Sequence, residues 1–129
     1  MKLYKKSVPG DNSCFFHAMG IHLRTTGASL RQLCVQLIPL YKDRVFHGLS
    51  LKDWIQYSEN MTIDAYIQRL SRQYWGGSIE MMILSDYFRR PIAVYALNGK
   101  RVAMFREDLL TEPVFLLYTG NHYDALLKK

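Results

Sequence analysis

At Pro91 the character of this 129-residue chain changes. Before it, apolar residues recur at spacings of three and four; after it, they gather in short runs rich in β-branched and aromatic side chains. The first pattern suits helices and the second strands, and proline itself cannot continue a helix. Such a chain is expected to be α+β, with a helical N-terminal half packed on a small, mostly antiparallel sheet from the C-terminal half. Its length suits one domain, residues 1–129, with a real core and no room for a second.

Local signals place the elements. A helix is expected from Cys14 to about Thr26-Gly27, and a second from a Ser29 cap to Ile38. Leu40 to Phe46 should continue helically to His47-Gly48, and a short helix should surround Trp54. Thr62 should cap a helix carrying Ile63, Tyr66, Ile67 and Leu70, and Ser78 one from Ile79 to Phe88. Beyond Pro91, Ile92–Leu97 and Arg101–Phe105 flank Asn98-Gly99, the strongest short hairpin signal. Val114–Tyr118 and His122–Leu126 flank Thr119-Gly120-Asn121 as a second hairpin. A sheet of about four or five strands follows.

Two segments carry chemistry. In Pro9-Gly10-Asp11-Asn12-Ser13-Cys14, turn and cap residues lead into an apolar helix, so Cys14 falls in its first turn. Unpaired amides and the positive end of the helix dipole gather there and favour thiolate. Amides on the turn from Asp11 to Cys14 could also receive an oxyanion. A small buried hydrophobe is the alternative role for such a cysteine. In Asn121-His122-Tyr123-Asp124, strand periodicity points His122 and Asp124 one way and Tyr123 the other. The carboxylate can then hold one ring nitrogen and leave the other for a thiol. A solvated edge-strand pair is the plain alternative. His17, three residues after Cys14, is a rival base that shows no orienting carboxylate in the sequence, and Cys14-x-x-His17 lacks the second ligand pair a metal would need.

Composition narrows the class. The net charge is +6, but the basic residues are scattered and no aromatic-interleaved RNA signature is present. No apolar run is long enough to span a bilayer. Met1 to Lys6 is too short and too polar for a targeting segment, and the only other cysteine, Cys34, lies in a helix-like stretch. A reducing, cytoplasmic setting is expected, in which the sequon at Asn60 goes unused.

In order along the chain, three segments resemble the motifs of the ovarian-tumour (OTU) cysteine proteases, which are deubiquitinases. They are Gly10-Asp11-Asn12-Ser13-Cys14-Phe15-Phe16-His17-Ala18, then Tyr74-Trp75-Gly76-Gly77-Ser78-Ile79-Glu80 running into Pro91–Tyr95, then His122-Tyr123-Asp124-Ala125-Leu126. The resemblance covers nearly the whole chain and implies an OTU-like, papain-type domain. It implies Cys14 as nucleophile, His122 as general base, Asp124 as orienting acid and Asp11 as a support of the oxyanion loop or a second acid. Trp75, Gly76 and Gly77 resemble the channel that admits a modifier's Gly-Gly tail, with Asn12, Ser13, Asn121 and Tyr123 completing the substrate-binding set. The same Trp75 could instead be core, with the glycines a helix-entry turn. The implied reaction is hydrolysis of isopeptide bonds after the C-terminal glycine of ubiquitin, without metal or cofactor. Implied partners are ubiquitin, polyubiquitin chains or a ubiquitin-like modifier, acted on by a monomer with no nucleic-acid or membrane partner. A catalytically silent ubiquitin-binding module would carry the same motifs. Met81 departs from the family's usual leucine, and the short lead-in suggests a minimal catalytic domain, as in a virus or an intracellular bacterium.

Overall fold

A computed structural model describes residues 2–129. The helices begin where polar side chains can take their first free amides. Strand β1 (Leu3–Lys6) leads through the turn into α1 (Cys14–Leu23), and α2 (Gly27–Tyr41) follows. Thr26, not Ser29, caps α2: its extended backbone sets Oγ1 to accept from the Ser29 amide at 3.1 Å. The helix runs through Pro39 and stops at Tyr41.

The expected helical continuation to His47-Gly48 is not formed. Val45–Phe46 (β2) and Leu49–Ser50 (β3) pair antiparallel instead. Both turn residues between them, His47 (φ 49°) and Gly48 (φ 88°), are left-handed, as a two-residue hairpin of matching twist requires. Trp54 Nε1 donates to the Phe46 carbonyl and fixes this hairpin on α3 (Leu51–Glu59). Helix α4 (Ile63–Ser71) begins at the expected cap, Thr62, whose hydroxyl accepts from the Ala65 amide. Helix α5 (Ser78–Phe88) is capped by Gly77 rather than Ser78, because the Glu80 carboxylate reaches back to the Gly77 amide at 2.8 Å.

The remaining strands are β4 (Ile92–Tyr95), β5 (Arg101–Phe105), β6 (Val114–Tyr118) and β7 (Tyr123–Lys128). Their sheet has the order β1-β7-β6-β4-β5. Only β4 and β6 run parallel; the other neighbours are antiparallel. The architecture is thus α+β, with one correction. The sheet is not built from the C-terminal half alone, since β1 pairs with β7 in the register Leu3 to Lys128 and Lys6 to Ala125.

Alternation divides the sheet. Ile92, Val94, Val114, Leu116 and Ala125 join Phe15, Phe16, Ile38, Tyr66 and Ile83 of the helices in the main core. Ala93, Phe115, Leu117 and Leu126 form a smaller cluster on the opposite face. Helix α1 lies directly on β7, which brings the first motif to the last. No helix among the described residues is long and apolar enough to cross a membrane.

Candidate active site

The turn before α1 is folded by one aspartate. Asp11 Oδ1 accepts from the Ser13 amide at 2.8 Å, and its carbonyl accepts from the Cys14 amide at 3.2 Å. The Ser13 contact, chiefly, holds the Asp11 carboxyl below its usual range. The chain enters α1 with Cys14 as its first residue, half-buried at the positive end of the dipole. Ser13 stands at the cap position, yet its hydroxyl does not cap. It accepts from Arg31 Nη2 at 2.8 Å and donates to Gln73 Oε1 at 3.2 Å. Cys34, by contrast, is fully buried, and burial pushes its thiol well up.

At the other terminus, His122 Nε2–H donates to Asp124 Oδ1 at 2.8 Å. Asp124 is only 5% exposed, and the same oxygen accepts from the Val8 amide at 2.9 Å. Asp124 is therefore clamped between His122 and the segment following β1. Engaging Nε2 leaves Nδ1, the ring nitrogen nearer the backbone, for other work. The next amide along, that of Tyr123, lies 3.5 Å from Cys14 Sγ. Tyr123 itself turns the opposite way, its ring edge-on to Phe15 of α1 and stacked on Tyr118. Residues from the two ends of the chain thus meet at one sulfur.

His17 has the carboxylate that the sequence did not reveal. Its Nε2–H donates to Asp11 Oδ2 at 3.2 Å. Its Nδ1 lies against Gly27 at the start of α2, so close that a Cβ there would sit 2.5 Å from it. One ring nitrogen thus holds the turn, and the other edge of the ring packs on the start of α2.

Beside the sulfur runs a groove of about 390 Å³ lined by Asn12, Cys14, Trp75, Gly76, Gly77, Asn121 and Tyr123. Asp11, Ser13, His122 and Asp124 do not line it: Asp11 is exposed to solvent, and Ser13 is 7% exposed. Trp75 is 55% exposed, which removes the core reading, and its Nε1–H donates to Asn12 Oδ1 at 2.6 Å. A Cβ on Gly76 would meet Phe15 and Phe16 at 2.5 and 2.9 Å, so this backbone must lie directly on the cysteine helix. A Cβ on Gly77 would meet nothing. Beneath the glycines lies Glu80, wholly buried, accepting from Gly77 N and from Tyr66 Oη at 2.5 Å. Burial raises its carboxyl to about 7.

Sequence reasoning passed over Arg31, which is 5% exposed and bonds to Asn12, Ser13, Leu70 and Tyr74. A signal existed: Arg31 lies on the apolar stripe Leu30, Cys34, Leu37 and Ile38, where a charge has no place unless it has partners.

A thiol at a helix N-terminus, an imidazole oriented by a buried carboxylate and an adjoining groove can perform acyl transfer through sulfur. The comparisons with known proteins agree with that class. Residues 9–124 match the family model of the OTU-like cysteine proteases, and the chain belongs to this family. It is 30% identical to the "OVARIAN TUMOR DOMAIN-containing deubiquitinating enzyme 2" of Arabidopsis thaliana, over 96% of this chain and 58% of that protein. It is 35% identical to the "Ubiquitin thioesterase OTU1" of Dictyostelium discoideum, over 90% of this chain and 35% of that protein. The chain therefore spans between about a third and somewhat under two thirds of these relatives. Among solved structures, an OTU domain in complex with ubiquitin superposes with a TM-score of 0.77 at 26% identity, covering 96% of this chain and 69% of that one. The Hazara virus OTU bound to ubiquitin shares the fold, with a TM-score of 0.74 at 21% identity, over 98% of this chain and 83% of that one.

Proposed function

We propose that this chain is a single catalytic domain of a thiol-dependent deubiquitinase, cleaving the isopeptide bond after the C-terminal glycine of ubiquitin or a ubiquitin-like modifier. The observation that carries the reading is the meeting of Cys14 Sγ with the His122–Tyr123 backbone while Asp124 holds His122 Nε2. In the first half-reaction the Cys14 proton passes to His122 Nδ1 and the sulfur attacks the glycine carbonyl carbon. Negative charge develops on the carbonyl oxygen at the positive end of the α1 dipole, beside first-turn amides that no side chain caps. Collapse breaks the C–N bond, and His122 delivers its proton to the departing lysine amine. In the second half-reaction His122 takes a proton from water, the hydroxyl attacks the thioester, and the thiol is restored with release of the carboxylate.

The groove suits an extended tail without side chains. Gly76 presses on Phe15 and Phe16, Gly77 faces open space, and Trp75, tied to Asn12, forms a wall. Relatives described as deubiquitinating enzymes, and an OTU domain solved with ubiquitin, support the same substrate. Both cysteines are free, which suits action in a reducing cytosol.

The test is a ubiquitin carrying a thiol-reactive group at its C-terminus. Stoichiometric labelling mapped to Cys14 by mass spectrometry is expected. Labelling of Cys34, or none, overturns the reading.

A further inference from the structure

We propose that Arg31 is a positioning residue for attack by Cys14, holding the nucleophile turn and the Trp75 wall in one frame and drawing the cap away from the cysteine helix. The inference rests on the functional reading above and deepens it.

Arg31 is a buried cation that forms no ion pair among the described residues. Removing a guanidinium from water costs several kcal/mol, and an apolar side chain on the Leu30–Cys34 stripe would avoid that cost. What Arg31 has instead are neutral acceptors in a fork. Nη1 donates to the Leu70 and Tyr74 carbonyls at 2.7 and 2.6 Å. Nη2 donates to the Asn12 carbonyl at 3.0 Å and to Ser13 Oγ at 2.8 Å. Its planar face lies 4.6 Å from the Phe16 ring of α1. One side chain thus ties the residues just before Cys14 to those just before Trp75, the two sides of the groove.

The Ser13 contact has a second effect. A serine in the cap position ordinarily gives its oxygen to the second or third amide of the helix. Here the hydroxyl accepts from Arg31 and donates to Gln73, whose backbone is left-handed at φ 74°. The first-turn amides of α1 therefore receive no side-chain cap, and their partial positive charge is directed at Cys14 and at whatever charge develops beside it. The requirement is for the fork and not for charge alone, because a lysine is a point donor that cannot span acceptors on two segments.

The test uses R31K and S13A beside the wild type, read two ways. One is kcat and KM on a ubiquitin C-terminal amide substrate. The other is the pH profile of Cys14 alkylation by iodoacetamide, which needs no ubiquitin. Both variants leave the other charged and titratable side chains of the site, His122, Asp124, Asp11, Tyr123 and Glu80, in place. Expected are a fall in kcat of about a hundredfold for R31K and about tenfold for S13A, with KM within about threefold of wild type. The alkylation midpoint should move to higher pH in R31K, where the released Ser13 hydroxyl can cap α1, and stay at the wild-type value in S13A, which has no hydroxyl to cap with. S13A removes only a hydroxyl and keeps the test decisive should R31K fold poorly. Unchanged kcat in S13A, an unchanged alkylation profile in R31K, or a change confined to KM overturns the proposal. A wild type inert toward every ubiquitin substrate overturns the functional reading instead, and the alkylation profiles still decide the role of Arg31.

Discussion

The backbone amide of Tyr123 lies 3.5 Å from the sulfur of Cys14, across 109 positions of sequence. This contact joins the chain segment that follows His122 to the thiol through main chain rather than through a long side chain. Strand β7, which begins one residue after His122, is therefore seated directly on the helix that begins with Cys14.

Loss of the imidazole should be the most damaging change after loss of the sulfur. H122A is expected to lower kcat by about 10²–10⁴, the usual worth of a positioned base, while the thermal midpoint stays close to wild type. Stopped-assay cleavage of a fluorogenic ubiquitin substrate measures it. A variant that retains a tenth of the activity would show that another group moves the proton.

Asp124 should behave unusually on substitution, because His122 and Val8 bond to the same oxygen, Oδ1. D124N can present one carbonyl oxygen to both donors, so it should keep activity within about a hundredfold and stability near wild type. D124A strands the Val8 amide as well as the ring and should cost about 1–3 kcal/mol in a urea titration. Equal effects of the two variants would contradict the shared-oxygen arrangement. D11N, which can still accept from Ser13, should be milder than D124A in activity; the reverse order would make Asp11 the principal acid.

The two glycines should separate fold from substrate. At Gly76 a methyl group collides with Phe15 and Phe16, so G76A should lose about 1–3 kcal/mol through overpacking. At Gly77 there is open space. G77A should melt within about 0.5 kcal/mol of wild type yet raise KM about tenfold or more, by narrowing the groove. Paired denaturation and steady-state assays check both, and a G77A enzyme with wild-type KM would place the tail elsewhere.

Glu80 predicts a pH dependence of stability. Burial raises its folded carboxyl to about 7 from an ordinary 4.5. Between these values the folded state holds a proton that the unfolded chain has released, so stability falls as pH rises through this window. Relative to E80Q, the wild type should lose roughly 3 kcal/mol between pH 4.5 and pH 7 and little beyond. Urea midpoints of the pair across the range test it, and parallel curves would mean Glu80 does not titrate there.

Local signals were the legible ones. Thr62 as cap and Asn98-Gly99 as turn depend on neighbours two or three residues away, and both stand as expected. The order of the three motifs sufficed to identify the family. What stayed hidden depends on partners distant in sequence. Leu3 to Lys6 is a strand because β7 lies beside it; its exposed lysines give no alternation to read. The β2–β3 hairpin has only two residues per strand and is held by Trp54, which a periodicity window cannot detect. The Asp11–His17 pair forms across a turn whose shape was unknown until the Ser13 amide was placed. Arg31 was visible as a charge on an apolar stripe, but its acceptors are main-chain carbonyls, which carry no residue identity.

Val8 follows an edge strand with no candidate catalytic group of its own, yet its amide holds the carboxylate that orients His122. That makes the lysine-bearing ribbon at the start of the chain a latch on the chemistry some distance away. Prying it loose, by clipping residues 2–7 or by a bulky fusion that competes for the β7 edge, should disarm the enzyme while the nucleophile helix remains untouched.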